Sequence, residues 1–257
     1  MLSSLTRPRA LALCALPIAA LLVVAGVAPL PYTLAQPGST TDVLGEHQGR
    51  QVITISGVPV RETRGELLMT TIMATGPRAD VDLADVADSW FRGDRAVLPR
   101  DSVYPAGKSD AEIEKHNTGQ MRQSQNSAVQ AALGYLGKSP EDVKVELRLA
   151  DVGGPSAGLF FALGIIDKIQ GGLTGGRTIA GTGTVTADGT VGAVGGVSLK
   201  TQAAHRDGAT VFLVPKDECG DAQAELPENL RLIPVTALKD AVSSLRALDQ
   251  GKPVPSC

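Results

Sequence analysis

Apolar and charged residues alternate strictly along Val143-Lys144-Val145-Glu146-Leu147-Arg148-Leu149, which predicts a strand with one face buried. The next apolar run changes period. Leu159, Ala162, Leu163, Ile166 and Ile169 fall on one face of a helix expected from Ser156 to about Gln170, and Gly171-Gly172 stops it. Upstream, Ser109 and Glu112 have capping-box spacing and open a helix that should run to about Gly137. Downstream, residues 179–185 and 190–194 flank Asp188-Gly189, a hairpin signal. Residues 198–206 read as helix, 210–214 as a buried strand and 230–235 as another. Thr236 then caps a last amphipathic helix ending near Leu248. Before residue 109 the pattern is weaker: 31–50, rich in Pro, Gly, Thr and Gln, reads as extended, and 51–108 mixes short strand-like runs (52–55, 67–72) with polar connections. Without a regular βαβ rhythm or any internal repeat, the pattern predicts an α+β domain.

Residues 10–30 carry no charge; Arg7 and Arg9 precede them, and Asp42 is the first charge after them. About 20 apolar residues cross a bilayer as a helix, and flanking arginines keep its start in the cytoplasm. The pattern therefore predicts a cytoplasmic N-terminus (1–9) and a transmembrane anchor (10–30). Ala25, Ala28 and Ala35 also suit the cut of a signal peptide. Either way the remainder lies outside the cytoplasm, held at the cell membrane or secreted. It divides into an extracytoplasmic N-terminal region (31–108), a main domain (109–250) and a tail (251–257).

Composition narrows the function classes. A chain of 257 residues, 43% apolar, can bury a real core. Its net charge of −3, with no basic stripe interleaved with aromatics, argues against nucleic acid as a partner. Three cysteines make no disulfide framework and have no zinc spacing, so neither metal nor cofactor is expected. Cys14 falls in the uncharged segment. Cys219 and Cys257 lie in the extracytoplasmic part, as a candidate disulfide closing a loop of about 38 residues or as two free thiols.

The candidate chemistry sits in two glycine-rich turns. Gly153-Gly154-Pro155-Ser156-Ala157-Gly158 lies between a strand and a helix. Glycines there allow a sharp turn, and the N–H groups of a helix's first turn (near Gly153, Gly154 and Ala157) can hold an oxyanion. Ser156 would be a nucleophile; a serine N-cap in a tight turn is the plain alternative. The second turn, residues 192–200, ends in Lys200, on the first turn of a helix beside Leu199, Ala203 and Ala204. Burial and the positive helix end would lower its pKa towards that of a usable base, whereas charge statistics read it as solvated.

Residues 151–158 together with 189–215 resemble the proteolytic domain of Lon-type proteases. The resemblance continues through Ala203-Ala204-His205-Arg206, Val211-Phe212-Leu213-Val214-Pro215-Lys216, Leu226-Pro227-Glu228-Asn229 and Ile233-Pro234-Val235. It implies a serine endopeptidase with a Ser156–Lys200 dyad, Thr182 hydrogen-bonding nearby, protein substrates and hexameric assembly. The rest is similar to membrane-anchored, PDZ-containing Lon-like proteases, through Pro31-Tyr32, Pro37-Gly38 and Ser124-Gln125-Asn126-Ser127-Ala128. Here, however, residues 138–150 alone bridge the place of the PDZ insert. Gly153 stands where ATP-dependent relatives usually carry an acid, and whether Asp151 substitutes for it is left open by the sequence. Gly171-Gly172-Leu173-Thr174-Gly175-Gly176-Arg177-Thr178 approaches a phosphate-binding loop but has Arg177 for its lysine, so it reads as a plain loop and the peptidase as ATP-independent. Two rivals remain: Gly154-Pro155-Ser156-Ala157-Gly158 also fits the nucleophile elbow of an α/β-hydrolase esterase completed by Asp188 and His205, and a degenerate site would leave a membrane-tethered binding protein.

Overall fold

The computed structural model describes residues 7–104, 109–149 and 153–257, without the side chains of 7–10 and 12. Its chain forms two compact units, Met1–Ala35 with Ala74–Gly107 and Gln36–Met73 with Lys108–Cys257. The first holds helix α1 (Arg7–Val27) and the start of strand β1 (Tyr32–Asp42), and then α2 (Leu83–Trp90), β6 (Ala96–Pro99) and α3 (Arg100–Val103). Tyr32 to Ala35 pair antiparallel with β6. An Asp82–Asp85 capping box starts α2. The helix α1 stops before Pro29, because the residue preceding a proline is pushed out of the helical region. Among the described residues no helix is long and apolar enough to cross a membrane, so the anchor expected at 10–30 gains no support here.

The second unit is built on β1, a hairpin of β2 (Glu46–His47) and β3 (Arg50–Gln51), β4 (Ile53–Ser56) and β5 (Glu66–Ala74). There follow α4 (Asp110–Leu136), β7 (Lys144–Leu147), α5 (Gly158–Gln170), β8 (Thr178–Gly181), β9 (Thr184–Val185) and β10 (Val191–Gly192). The chain ends with α6 (Val197–Arg206), β11 (Val211–Pro215), a 3-10 turn (Lys216–Glu218), α7 (Cys219–Gln223), β12 (Arg231–Val235) and α8 (Leu238–Asp249). Sheet order within the unit is β12-β11-β8-β5-β1, with parallel pairing at β12·β11, β11·β8 and β8·β5. A βαβαβ run through α6 and α7 is thus present, which the expectation of no such rhythm missed, while β4·β7 and β9·β10 are antiparallel. The mixture of helices and strands agrees with the expected class.

Period-2 alternation explains the two-sided burial. On β11, Val211 and Leu213 join one apolar cluster, and Phe212 and Val214 join another on the opposite face. The first cluster centres on α5, whose Leu159, Phe160, Phe161, Leu163, Ile165 and Ile166 are all fully buried. Each such side chain stabilises the fold by about 1.5–3 kcal/mol. α5 is therefore buried nearly all round, not on one face as expected, because α4, α8, β4 and β9 all pack against it. Its Lys168 is accommodated by donating to the Leu44 carbonyl at 2.9 Å, and its Asp167 by accepting from Leu173 N–H at 2.8 Å.

Several local expectations agree in detail. Ser109 and Glu112 form the capping box of α4, which ends on left-handed Gly137. Others shift. Within the 31–50 stretch read as extended, Tyr32–Asp42 is a strand, with Thr33, Ala35, Gly38 and Thr41 buried in it. The 179–185 run divides at Gly183 (φ 150°) between the main sheet and the hairpin. Ala237, not Thr236, occupies the cap of α8, and the Thr236 hydroxyl donates to Asp240 Oδ2 at 2.5 Å.

Candidate active site

Ser156 lies in the turn two residues before α5 rather than on the helix, whose N-cap is Ala157. Gly154 holds φ at 87°, in the left-handed region, so the turn requires a glycine there. Hydrogen bonds fasten this turn from outside. Ser124 Oγ on α4 donates to the Pro155 carbonyl at 2.9 Å, and Gly154 N–H donates to the Asn117 carbonyl at 3.3 Å. From the far side, Gly183 N–H donates to the Ser156 carbonyl at 3.0 Å.

Lys200 approaches on α6, whose N-cap Gly196 is left-handed (φ 67°), with Ile72 Cγ2 only 3.0 Å from where a Cβ would stand. The lysine is 3% exposed, and its Nζ donates to Thr182 Oγ1 at 3.2 Å. That hydroxyl in turn donates to the Ser156 carbonyl at 3.3 Å. Burial lowers the Lys200 pKa from 10.5 to about 8, with the Glu218 carboxylate opposing the fall. An amine at that value is substantially neutral slightly above neutral pH and can take a proton from a hydroxyl.

Ser156 and Lys200 line one cavity of about 420 Å³. Gly153 lines it too, while Gly154 has its N–H engaged by Asn117 and Ala157 is buried at the cap of α5. Asp151 lies outside the described residues. The structure thus gathers Ser156, Lys200, Thr182 and Gly153. It does not gather the esterase set. His205 is exposed and does not line the cavity, and the Asp188 carboxylate accepts from Thr186 and Thr190 at the hairpin tip. Cys219 and Cys257 are joined in a disulfide with a Cα–Cα distance of 5.4 Å. Among the described residues no group of His, Cys, Asp and Glu is arranged to hold a metal ion.

Several contributors escaped the sequence reading. Ser39, Thr71, Ile72 and Met73, all before the long helix, line the cavity. Glu218 accepts from Val194 N–H, and Asp221 from Val197 N–H. No local motif marks these residues, because each meets the site through strand pairing or long-range contact.

A family model of the Lon protease (S16) C-terminal proteolytic domain matches residues 106–246. The chain is 32% identical over 172 residues to a Lon protease of Chloroflexus aggregans, an alignment covering 60% of this chain and 20% of that protein. It is 47% identical over 78 residues to a Lon protease of Clostridioides difficile, covering 30% of this chain and 10% of the relative. Against Lon protease 1 of Myxococcus xanthus it is 26% identical over 179 residues, covering 63% and 21%. The chain spans about a fifth or less of the length of these relatives.

Proposed function

Because this chain belongs to the Lon protease (S16) C-terminal proteolytic domain family, a family of serine endopeptidases, we propose that it cleaves peptide bonds with Ser156 as nucleophile and Lys200 as general base. The observation that carries this reading is the buried Lys200 amine, sharing a cavity with Ser156 and tied to its carbonyl through Thr182.

In the proposed reaction neutral Lys200 accepts the Ser156 hydroxyl proton as Oγ adds to the substrate carbonyl carbon. The C–N bond then breaks, and the leaving amine takes that proton from the Lys200 ammonium. Water attacks the resulting ester, its proton passing to Lys200 and from there to Ser156 Oγ as the acid leaves. With the N–H groups of Gly154, Gly158 and Leu159 already donating to the Asn117, Pro155 and Gly183 carbonyls, the oxyanion is assigned to the Ala157 N–H at the cap of α5. Thr182 orients the amine towards the serine side of the cavity.

The finer reading adds substrate and place. A cavity of this size admits an extended segment and not a folded surface, so unfolded protein is the proposed substrate. Residues 171–177 connect α5 to β8 as a loop with Arg177 in place of a phosphate-binding lysine, which supports cleavage without ATP. The Cys219–Cys257 disulfide supports an extracytoplasmic location, where such bonds persist, and the uncharged segment at 10–30 would direct export whether retained in the membrane or cut. Hexameric assembly, carried over from the resemblance, is read by sedimentation velocity. The test of the activity is digestion of a casein-like disordered protein by the purified chain. The expected result is fragmentation at the same rate with and without ATP and magnesium, and none with Ser156→Ala. Equal fragmentation by that variant would sink the proposal.

A further inference from the structure

The turn that presents Lys200 is hung from two carboxylates on a neighbouring segment. Its helix α6 begins at Gly196, which has no side chain to cap the first turn, and Val197 N–H donates instead to Asp221 Oδ2 at 3.2 Å. Three residues earlier, Val194 N–H is shared between both carboxylate oxygens of Glu218, each at 3.0 Å. Hydrogen bonds to an ionised acceptor are roughly twice as strong as neutral ones, so these contacts fix the turn firmly. Glu218 and Asp221 flank Cys219, whose disulfide to Cys257 ties their segment to the C-terminal tail. Val194, Cys219 and Cys257 also pack against one apolar cluster that includes Phe212 and Val214. Val194 and Lys200 both line the cavity beside Ser156.

We propose that Glu218 is a positioning residue of this site: its carboxylate fixes the Val194 wall of the cavity and supplies the negative charge that Lys200 faces, and the Cys219–Cys257 disulfide keeps it in place. This rests on Lys200 being the base. The packing around α6 leaves few competing charges. β8 and β11, which pack against it, carry no ionisable side chain, and α7 contributes Asp221. Around Glu218 itself stand Lys200, Asp221 and Asp217, with burial the main influence raising its pKa and the Val194 hydrogen bond opposing it. Glu218 favours the ammonium form of Lys200 against the effect of burial. It therefore has two separable roles, one through a hydrogen bond and one through charge.

Two variants separate them. Glu218→Gln keeps an oxygen that can accept from Val194 N–H and loses the charge; Glu218→Ala loses both. The measurements are kcat and KM for a fluorogenic peptide against pH, with the titration of Lys200 followed by NMR of 13C-labelled lysine in the Ser156→Ala background. For Glu218→Gln the acid limb of the rate profile and the Lys200 titration should both move to lower pH. For Glu218→Ala the plateau kcat should fall by on the order of tenfold to a hundredfold from misplacement of the turn, with the Gln variant restoring most of that loss. The proposal is overturned if Lys200 titrates in both variants where it does in the wild type, or if both lose activity only in proportion to thermal stability. A wild-type chain without Ser156-dependent hydrolysis would instead refute the peptidase reading, and the Lys200 titration would still decide whether Glu218 acts on that amine.

Discussion

The two glycine-rich turns meet in one cavity, yet different physics holds them. The Ser156 turn is fastened by neutral groups, namely the Ser124 and Thr182 hydroxyls, the Asn117 carbonyl and the Gly183 amide. The Lys200 turn is fastened by the carboxylates of Glu218 and Asp221. Neutral hydrogen bonds inside a packed core do not respond to pH or salt, whereas bonds to carboxylates respond to both. The proposed nucleophile is thus held in a frame indifferent to conditions, and the proposed base in one that senses them. A base must change protonation state during each turnover, and an anion beside it sets how readily it does so.

The largest effect should come from removing either member of the pair. Ser156→Ala and Lys200→Ala should each lower hydrolysis on the order of ten-thousandfold or more, and the double variant should be no worse, because nucleophile and base act as a unit. Single-turnover rates on an unfolded substrate check this; additive losses would break the pairing. His205→Ala should change little, since that imidazole does not line the cavity.

Next comes the tie beneath the base turn. Replacing Cys219 and Cys257 by serine should cost about 2–4 kcal/mol in urea unfolding. Hydrogen exchange should then speed up at Val194 and Val197 N–H while Gly183 N–H keeps its protection. Equal loosening of both turns would erase the comparison.

A stability gain of up to about 3 kcal/mol at pH 7 is expected from Lys200→Met, taking about 1.4 kcal/mol per pKa unit for a fall from 10.5 to about 8. The sign follows from linkage. Below about pH 8 both folded and unfolded wild-type chains carry the ammonium, so folding bears the full cost of burying it. Between about 8 and 10.5 the folded chain has released the proton that the unfolded chain still holds, and the wild type recovers stability as pH rises. The advantage of methionine should therefore shrink across that window, as denaturation at pH 7 and pH 10 would read. The smallest effect belongs to the neutral frame. Ser124→Ala should cost about 1 kcal/mol and lower kcat by the same factor at every pH tested, without moving the acid limb.

What was legible in the sequence divides along the same line. The Ser156 turn, the capping box of α4, the 143–149 alternation and the Asp188-Gly189 hairpin are local patterns, and local geometry dictates them. The Lys200 turn was legible only through resemblance, because an isolated lysine reads as solvated, and its burial to 3% exposure comes from elements distant in sequence. Glu218 and Asp221 left no signal, since each meets its backbone partner across 24 residues. The strand at 32–42 was missed because Pro37 and Gly38 depress strand propensity, and pairing with neighbouring strands overrides it. The nearly all-round burial of α5 was missed for a related reason: periodicity marks the apolar face but not how many layers will cover it.

The most direct test of the central claim is the rate at which a serine-directed fluorophosphonate modifies the protein as pH is raised, with the adduct located by mass spectrometry. A single adduct on Ser156 is predicted, forming at a rate that climbs through a pKa near 8 and nearly vanishes in Lys200→Ala. An adduct on another residue, or a rate on Ser156 that ignores Lys200 and follows His205, would contradict the account.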